Sequence, residues 1–149
     1  MRILLAVDGS ECSKVAMREL LERPWPSRTE VLIVSVSHPL PDIKDPLMIA
    51  QACHIDSEKS EHLRASKVAT DFANAIIRTS PSLRVKTHVV QGSPKEEILK
   101  QAEQWRADLV MLGSHGHGPI GRFLLGSLAT AVAIHAPCSV EIVRKANRE

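Results

Sequence analysis

The sequence predicts an α/β protein with a single doubly wound, five-stranded parallel sheet and helices on both faces, a Rossmann-like architecture. Short aliphatic runs alternate with longer helical segments along the 149 residues, and such alternation is typical of parallel strands joined by right-handed crossovers. Two of the runs, Ile3–Val7 and Val31–Val36, contain no charged residue, as expected of strands that are covered on both faces. We therefore expect one domain, residues 1–149.

Five segments have the character of strands. The first, second and fourth in chain order are continuous or nearly continuous apolar runs. The third alternates apolar and polar residues, as an edge strand should, and the fifth is a short run that includes Ser139 and Glu141. In chain order the segments are Ile3–Val7, Val31–Val36, Leu83–Val90, Asp108–Leu112 and Ser139–Val143.

Helices are predicted between these strands from start and stop signals. The first begins at Ser10 and ends before Pro24, and the second covers about Asp56–Arg78 before Pro81. The third begins at Ser93, with a proline just inside it, and the fourth begins at Ser127. Helical spacing in the second predicts an inward stripe, namely Leu63, Val68, Ala69, Phe72, Ile76 and Ile77.

Composition excludes several classes of protein. A net charge of +2 favours neither a nucleic acid nor a membrane surface as partner. Cys12, Cys53 and Cys138 are an odd, widely spaced set, which favours a reduced cytoplasmic location over a disulfide framework. No segment has the length of a transmembrane helix, and the first strand is too short for a signal peptide.

A glycine-rich loop between the fourth strand and the fourth helix predicts an anion site. It holds Gly113, Ser114, Gly116 and Gly126, and Ser127 follows at the helix start. Glycines let the backbone approach an anion closely, and the first amides of a helix point outward with partial positive charge. No Asp or Glu lies between residues 108 and 141. The alternative to an anion site is that the glycines only form a long turn and that Ser127 is an ordinary helix cap.

Two familiar phosphate motifs do not apply to this loop. Gly116–Gly121 formally matches G-x-G-x-x-G, but it follows the fourth strand and contains Pro119, so a dinucleotide site is disfavoured. A Walker A loop needs a lysine, and none occurs between Lys100 and Lys145. The loop is therefore not that of a P-loop enzyme.

Asp8 follows the first strand and is the predicted carboxylate of the same site. Ligands of doubly wound sheets bind beyond the carboxyl ends of the strands, where the winding direction reverses. If the first and fourth strands are neighbours there, Asp8 faces Gly113 across one crevice. That arrangement suits a nucleotide, with the carboxylate on the ribose hydroxyls and the amides on the phosphates. The alternative is that Asp8 only caps the turn.

The remaining metal- and nucleophile-type residues predict no further chemistry. His115 and His117 are spaced to reach one metal ion, but no third ligand is evident, so we predict no metal site. Cys53 adjoins His54 without an identifiable orienting group, so no catalytic residue is predicted.

Two stretches together resemble the universal stress protein family. They are Ile3 to Ser10, ending in Val-Asp-Gly-Ser, and the pattern Gly113-x2-Gly116-x9-Gly126-Ser127. The similarity runs across essentially the whole chain in element order, and this glycine spacing is the family's ATP-binding signature. The family contains nucleotide binders that keep these glycines and members that have lost them. The sequence resembles the binders, since every position of the motif is present.

The resemblance implies strand order 3-2-1-4-5, four helices and a homodimer that pairs through the last strand. It also implies that Asp8 binds ribose and that the backbone of Ala6 and Val36 contacts adenine. The residues implied to line the ribose and phosphates are Gly113, Ser114, Gly116, Gly126 and Ser127. The last strand reads Ser-Val-Glu-Ile-Val, which is more polar than is usual in the family.

Three functional hypotheses follow from the sequence. The first is a cytoplasmic stress-response or regulatory protein that binds ATP, ADP or AMP, accompanied by Mg²⁺, with little or no hydrolysis. The second is an ATP-dependent enzyme, a slow ATPase or nucleotidyl transferase. Such an enzyme needs carboxylates to hold a metal ion or orient water, and the loop offers only amides, so Asp8 is the one candidate. The third, a flavin or NAD oxidoreductase, is disfavoured because the G-x-G-x-x-G match is misplaced.

Overall fold

The computed structural model describes residues 1–38, 57–115 and 125–144. Its strands are β1 (Arg2–Ala6), β2 (Glu30–Ser37), β3 (Arg84–Gln91), β4 (Leu109–Gly113) and β5 (Ser139–Val143). These strands form one parallel sheet in the order β3-β2-β1-β4-β5. The predicted fold class and strand order are confirmed, and the predicted strand bounds differ from these by no more than one residue.

Alternate residues of the central strands enter two separate cores. Ile3 and Leu5 of β1 face one side of the sheet, and Leu4 and Ala6 face the other. All four are buried, because helices cover β1 on both sides. This two-sided burial explains why the strand is a continuous apolar run rather than an alternating one.

Four helices occur in the described part of the chain, two on each face of the sheet. They are α1 (Glu11–Glu22), α2 (Ser57–Thr79), α3 (Pro94–Gln104) and α4 (Ser127–His135). The buried residues of α1 and α2 join the core around Ile3, and those of α3 and α4 join the core around Leu4. The sheet is thus doubly wound.

The predicted inward stripe of α2 is wrong at two positions. Ala69, Phe72 and Ile76 are buried, but Leu63 is 67% exposed and Ile77 is 49% exposed. Ile77 directly follows Ile76 and is turned about 100° away from it around the helix axis, so the two cannot share one face. Leu63 lies near the helix start, beside Gln91 at the end of β3.

The fourth helix begins at Ser127 as predicted, but the alternative in which Ser127 caps it is excluded. The N-cap of α4 is Gly126, which has no side chain to cap the helix, and Ser127 is the first helical residue. By contrast, Ser10, the predicted start of the first helix, caps α1, because its Oγ accepts a hydrogen bond from the Ser13 amide at 3.2 Å. The two helix starts therefore differ in how their first amides are satisfied.

Neither of the described cysteines belongs to a disulfide. Cys12 and Cys138 are both half-buried free thiols. Burial raises the pKa of the Cys138 thiol, and the Asp108 carboxylate adds to the shift. Cys138 is therefore more fully protonated at neutral pH, and less reactive, than an ordinary cysteine.

Several predicted features lie outside the described residues. They are the proline-bearing segment at 39–56 with Cys53 and His54, and the loop from Gly116 to residue 124 with His117. Among the described helices, none combines the length and the apolar character needed to cross a bilayer.

Candidate functional site

A cavity of about 640 Å³ opens at the carboxyl ends of β1, β2 and β4. The register places these ends side by side, because Ala6 pairs with Val34 of β2 and Leu5 pairs with Met111 of β4. Asp8 and Gly113, which were expected to face one crevice, both line this cavity. Its position is the edge of a doubly wound sheet at which ligands bind.

The inner part of the cavity is apolar. Its lining includes four residues of the core that α3 and α4 cover and one that packs against that core, namely Ala6, Val34, Ile98 and Leu112, and Val36. Val36 is only half-buried and presents its remaining surface to the cavity. The sheet thus provides a hydrophobic floor that a flat apolar group can cover.

Asp8 is held over this floor by a tight turn. Its Oδ1 accepts a hydrogen bond from the Ser10 amide at 2.9 Å, and the intervening Gly9 has a φ of +81°. That backbone conformation suits glycine. Asp8 is exposed while Ser10 is 6% exposed, so a buried residue anchors an exposed carboxylate. Asp8 therefore does fix the turn, and it also lines the cavity.

Ser114 ties the glycine loop to its neighbours. The Ser114 amide donates to the Val143 carbonyl, and the Ser114 carbonyl accepts from the Gly126 amide, both at 2.9 Å. Its Oγ lies 3.1 Å from His115 Nδ1. Nε2 of His115 is buried and has no hydrogen-bond partner among the described residues. The two ends of the loop are thus pinned together beside the cavity that Ser114 and His115 line.

The two described loop glycines are required by contacts within the protein. A Cβ at Gly113 would lie 2.6 Å from the carbonyl carbon of Cys12, and a Cβ at Gly126 would lie 2.8 Å from the Ser114 carbonyl oxygen. The missing side chains therefore point at α1 and at the loop backbone, respectively. Sequence reasoning predicted that these glycines make room for phosphate, whereas in the structure they allow close packing that brings the loop to the cavity.

The helix starts around the cavity differ in charge. The α1 start has the Ser10 cap and Glu11 in its first turn, and the α3 start has Glu96 and Glu97. The α4 start has neither an acidic residue in its first turn nor a side-chain cap. Because the first amides of a helix lack intrahelical partners, the α4 start is the most favourable of these three for an anion.

Sequence reasoning missed the wall that α2 contributes. Glu61, Arg64, Ala65 and Val68 line the cavity, and they recur at the i, i+3, i+4 and i+7 spacing of one helix face. This spacing is visible in the sequence, but charged residues on it are equally typical of a solvated surface. His38, after β2, and Ser35 also line the cavity.

The fold and the cavity together define a Rossmann-like α/β domain with a cavity at its strand ends, the edge at which such domains bind ligands. Residues 1–144 match the family model described as "Universal stress protein family". The chain therefore belongs to the universal stress protein family.

Similar proteins span the whole domain. The chain is 32% identical over 142 residues to the "Universal stress protein in QAH/OAS sulfhydrylase 3'region" of Thermus aquaticus, which covers 95% of this chain and 97% of that protein. The solved structure of universal stress protein UspA from Lactobacillus plantarum superposes with a TM-score of 0.80 at 24% identity, over 97% of each chain.

Some solved structures with the same fold contain nucleotides. A universal stress protein family member from Arabidopsis thaliana with AMP bound superposes with a TM-score of 0.69 at 18% identity, over 99% of this chain and 93% of that one. Others are complexes with cAMP and, from Archaeoglobus fulgidus, with dAMP. At these identities the likeness establishes a shared fold.

Proposed function

We propose that this protein binds an adenine nucleotide, ATP or ADP or AMP, in the cavity and acts as a cytoplasmic stress-response or regulatory protein. The observation that carries the proposal is the combination of an apolar floor, an anchored carboxylate and an uncapped helix start in one cavity. Those three features match the three parts of a nucleotide: base, sugar and phosphate. The nucleotide-bearing structures with this fold support the same assignment.

The base is assigned to the floor beside β1 and β2. The backbone of Ala6 and Val36, both at the cavity, offers amide and carbonyl groups to the edge of adenine. The surrounding aliphatic side chains cover its faces. A cavity of about 640 Å³ lies within the range of about 300–1,000 Å³ that is usual for small-molecule sites.

The ribose is assigned to Asp8. An ionised carboxylate has about four lone-pair sites, so Asp8 can accept from the Ser10 amide and from a sugar hydroxyl together. Because the turn fixes the carboxylate, little side-chain entropy is lost when the sugar binds.

The phosphates are assigned to the loop and the α4 start. The backbone that would surround them belongs to Gly113, Ser114, Gly126 and Ser127, and to Gly116, which lies outside the described residues. No group of three or more His, Cys, Asp or Glu side chains in the described chain could hold a metal ion. Mg²⁺ is therefore expected to arrive with the nucleotide, held mainly by phosphate oxygens and water, with Asp8 or Glu61 as a protein carboxylate.

A slow ATP-dependent enzyme is the second candidate, and Glu61 favours it. This half-buried carboxylate lines the cavity and adds to Asp8 a second group that can orient water. Efficient phosphoryl transfer also needs positioned metal ligands and a positive charge on the transferring group, so we propose little or no hydrolysis. Phosphate release by the pure protein that disappears in Asp8→Ala would instead establish the enzyme.

Nucleotide binding is expected to raise the thermal stability of the purified protein. A ligand that binds only the folded state at 100 times its Kd adds about 2.7 kcal/mol to the free energy of unfolding. For a domain of this size that is a rise in Tm of roughly 5–10 °C. The measurement is a thermal-shift titration with ATP, ADP and AMP, with NAD and FMN as comparison ligands. If no adenine nucleotide changes Tm, the proposal is wrong.

We also propose a homodimer that forms through β5. This strand is an edge of the sheet, and Val140 and Ile142 on it are half-buried. The polar Glu141 is held within the chain, because both its oxygens accept from the Arg23 guanidinium at 2.7 Å. On α4, which contacts β5, Ile134 is 70% exposed. An edge strand flanked by an exposed apolar residue is a ready surface for pairing.

Replacing Ile134 with Glu is expected to weaken the dimer at least tenfold, because a charge would be placed in an apolar contact. Sedimentation equilibrium of the wild type and of Ile134→Glu would measure the change. The matched control is Leu63→Glu, which changes a similarly exposed aliphatic residue (67%) on α2. A wild-type protein that stays monomeric at high concentration, or equal effects of both substitutions, would contradict the proposed interface.

A further inference from the structure

We infer that Arg64 makes the cavity prefer nucleotides with more than one phosphate group. The inference rests on the proposed nucleotide function and specifies its ligand class. Arg64 lies on α2, is exposed, and lines the cavity together with Glu61 and Ala65. It is the one arginine or lysine among the described residues that line this cavity.

The position of Arg64 relative to the turn that carries Asp8 follows from Val68. Val68 lies one helical turn after Arg64 and also lines the cavity. It packs directly over Gly9, since a Cβ at Gly9 would lie 3.1 Å from Val68 Cγ2. Residues i and i+4 of a helix lie one above the other on the same face. Arg64 is therefore on the stripe of α2 that faces the Asp8–Ser10 turn.

Charge balance gives Arg64 its role. The helix start of α4 provides partial positive charge, equivalent to about half an elementary charge, and its effect falls off within the first turn. That suffices to favour one phosphate group, but ADP and ATP bring further negative charge. Asp8 and Glu61 line the same cavity and oppose that charge. A guanidinium on the α2 wall offsets it and can take two phosphate oxygens at once.

Arg64 is available for such a contact. None of the ion pairs formed between described residues involves it, although Glu61 is three residues away on the same helix. If Arg64 were only a solvent-facing residue of the helix surface, its removal would affect the binding of AMP and of ATP equally. The ratio of affinities for ATP and AMP is thus the property that separates the two interpretations.

The test measures Kd values for AMP and ATP by isothermal titration calorimetry with the wild type and with Arg64→Gln. We expect Arg64→Gln to weaken ATP binding about tenfold, the loss expected for one charge-assisted contact at a solvent-exposed position. The Kd for AMP should change less than about threefold, because the α4 start suffices to favour its single phosphate group. Arg64→Lys should retain part of the ATP affinity, because it keeps the charge and loses the two-pronged geometry.

The matched control is Arg84→Gln on β3, which also removes one exposed arginine but lies away from the cavity. It should leave both Kd values unchanged. Raising the salt concentration should weaken ATP binding more steeply in the wild type than in Arg64→Gln. An equal effect of Arg64→Gln on ATP and AMP, or no effect on either, would overturn the inference while leaving nucleotide binding intact. A wild type that binds neither nucleotide would instead overturn the proposed function, and the inference with it.

Discussion

Replacing Gly113 with Ala is expected to lower the free energy of unfolding by about 3 kcal/mol, a large effect for one methyl group. The added Cβ would lie 2.6 Å from both the carbonyl carbon and the Cβ of Cys12, and 2.8 Å from its carbonyl oxygen. Because two of these atoms are backbone, no rotamer change relieves the overlap. Either α1 moves off the sheet or β4 shifts. Urea unfolding would measure the change as a lower midpoint at constant m-value.

The matched control for this effect is Gly9→Ala. At Gly9 the new Cβ would meet only the side chain of Val68, at 3.1 Å, but the φ of +81° is unfavourable for alanine by about 1–2 kcal/mol. We therefore expect Gly113→Ala to cost clearly more than Gly9→Ala. Equal losses would mean that α1 can shift without penalty, and that tight packing does not explain the glycine at position 113.

The positions of the strands were predictable because buried parallel strands have an easily recognised sequence pattern. A strand covered on both faces is apolar at nearly every position, so β1 and β2 are visible as apolar runs, interrupted in β2 only by the buried Ser35 before the strand ends at Ser37. The polar alternation of β3 likewise marks an edge strand, and the structure places it at the edge. The order of the strands did not follow from these patterns; the family resemblance predicted it.

The exposure of Leu63 was not predictable from helical periodicity, for a geometric reason. The 23 residues of α2 span about 35 Å, whereas the eight residues of β3 span about 26 Å. One end of the helix must therefore extend beyond the sheet. Periodicity shows which residues share a face, but not where the partner surface stops. At its first turns α2 borders the cavity instead.

Sequence reasoning found the site residues that directly follow strands and missed those that lie on a helix. Asp8 and the loop glycines were found because they sit directly after strands, where the chain must turn at the ligand-binding edge. Glu61 and Arg64 were missed because they lie within the first turns of a long helix, where a charged residue usually faces water. For the glycines, the sequence shows that a side chain is absent without showing which neighbour requires its absence. Only the positions of Cys12 and Ser114 reveal that.

Replacing Gly126 with Val is expected to weaken ATP binding at least 100-fold, on the proposed function. The clash begins at Cβ, 2.8 Å from the Ser114 carbonyl oxygen. It would break the 2.9 Å hydrogen bond from the Gly126 amide to that oxygen. The α4 start would then move away from the loop, and its first amides would no longer point at a common phosphate position. Calorimetric titration with ATP measures the loss, and thermal unfolding would verify that the protein remains folded.

Gly126→Ala distinguishes displacement of the helix start from simple filling of the phosphate space. If the new side chain merely occupied that space, alanine would be tolerated much better than valine. Because the overlap is with Cβ itself, we expect Ala and Val to weaken binding to a similar degree. Ser127→Ala is the control, since Ser127 is exposed and makes no capping hydrogen bond, and it should change Kd less than about threefold. Wild-type affinity in Gly126→Ala would show that the α4 start does not hold the phosphates, and the nucleotide would then have to be placed elsewhere in the cavity.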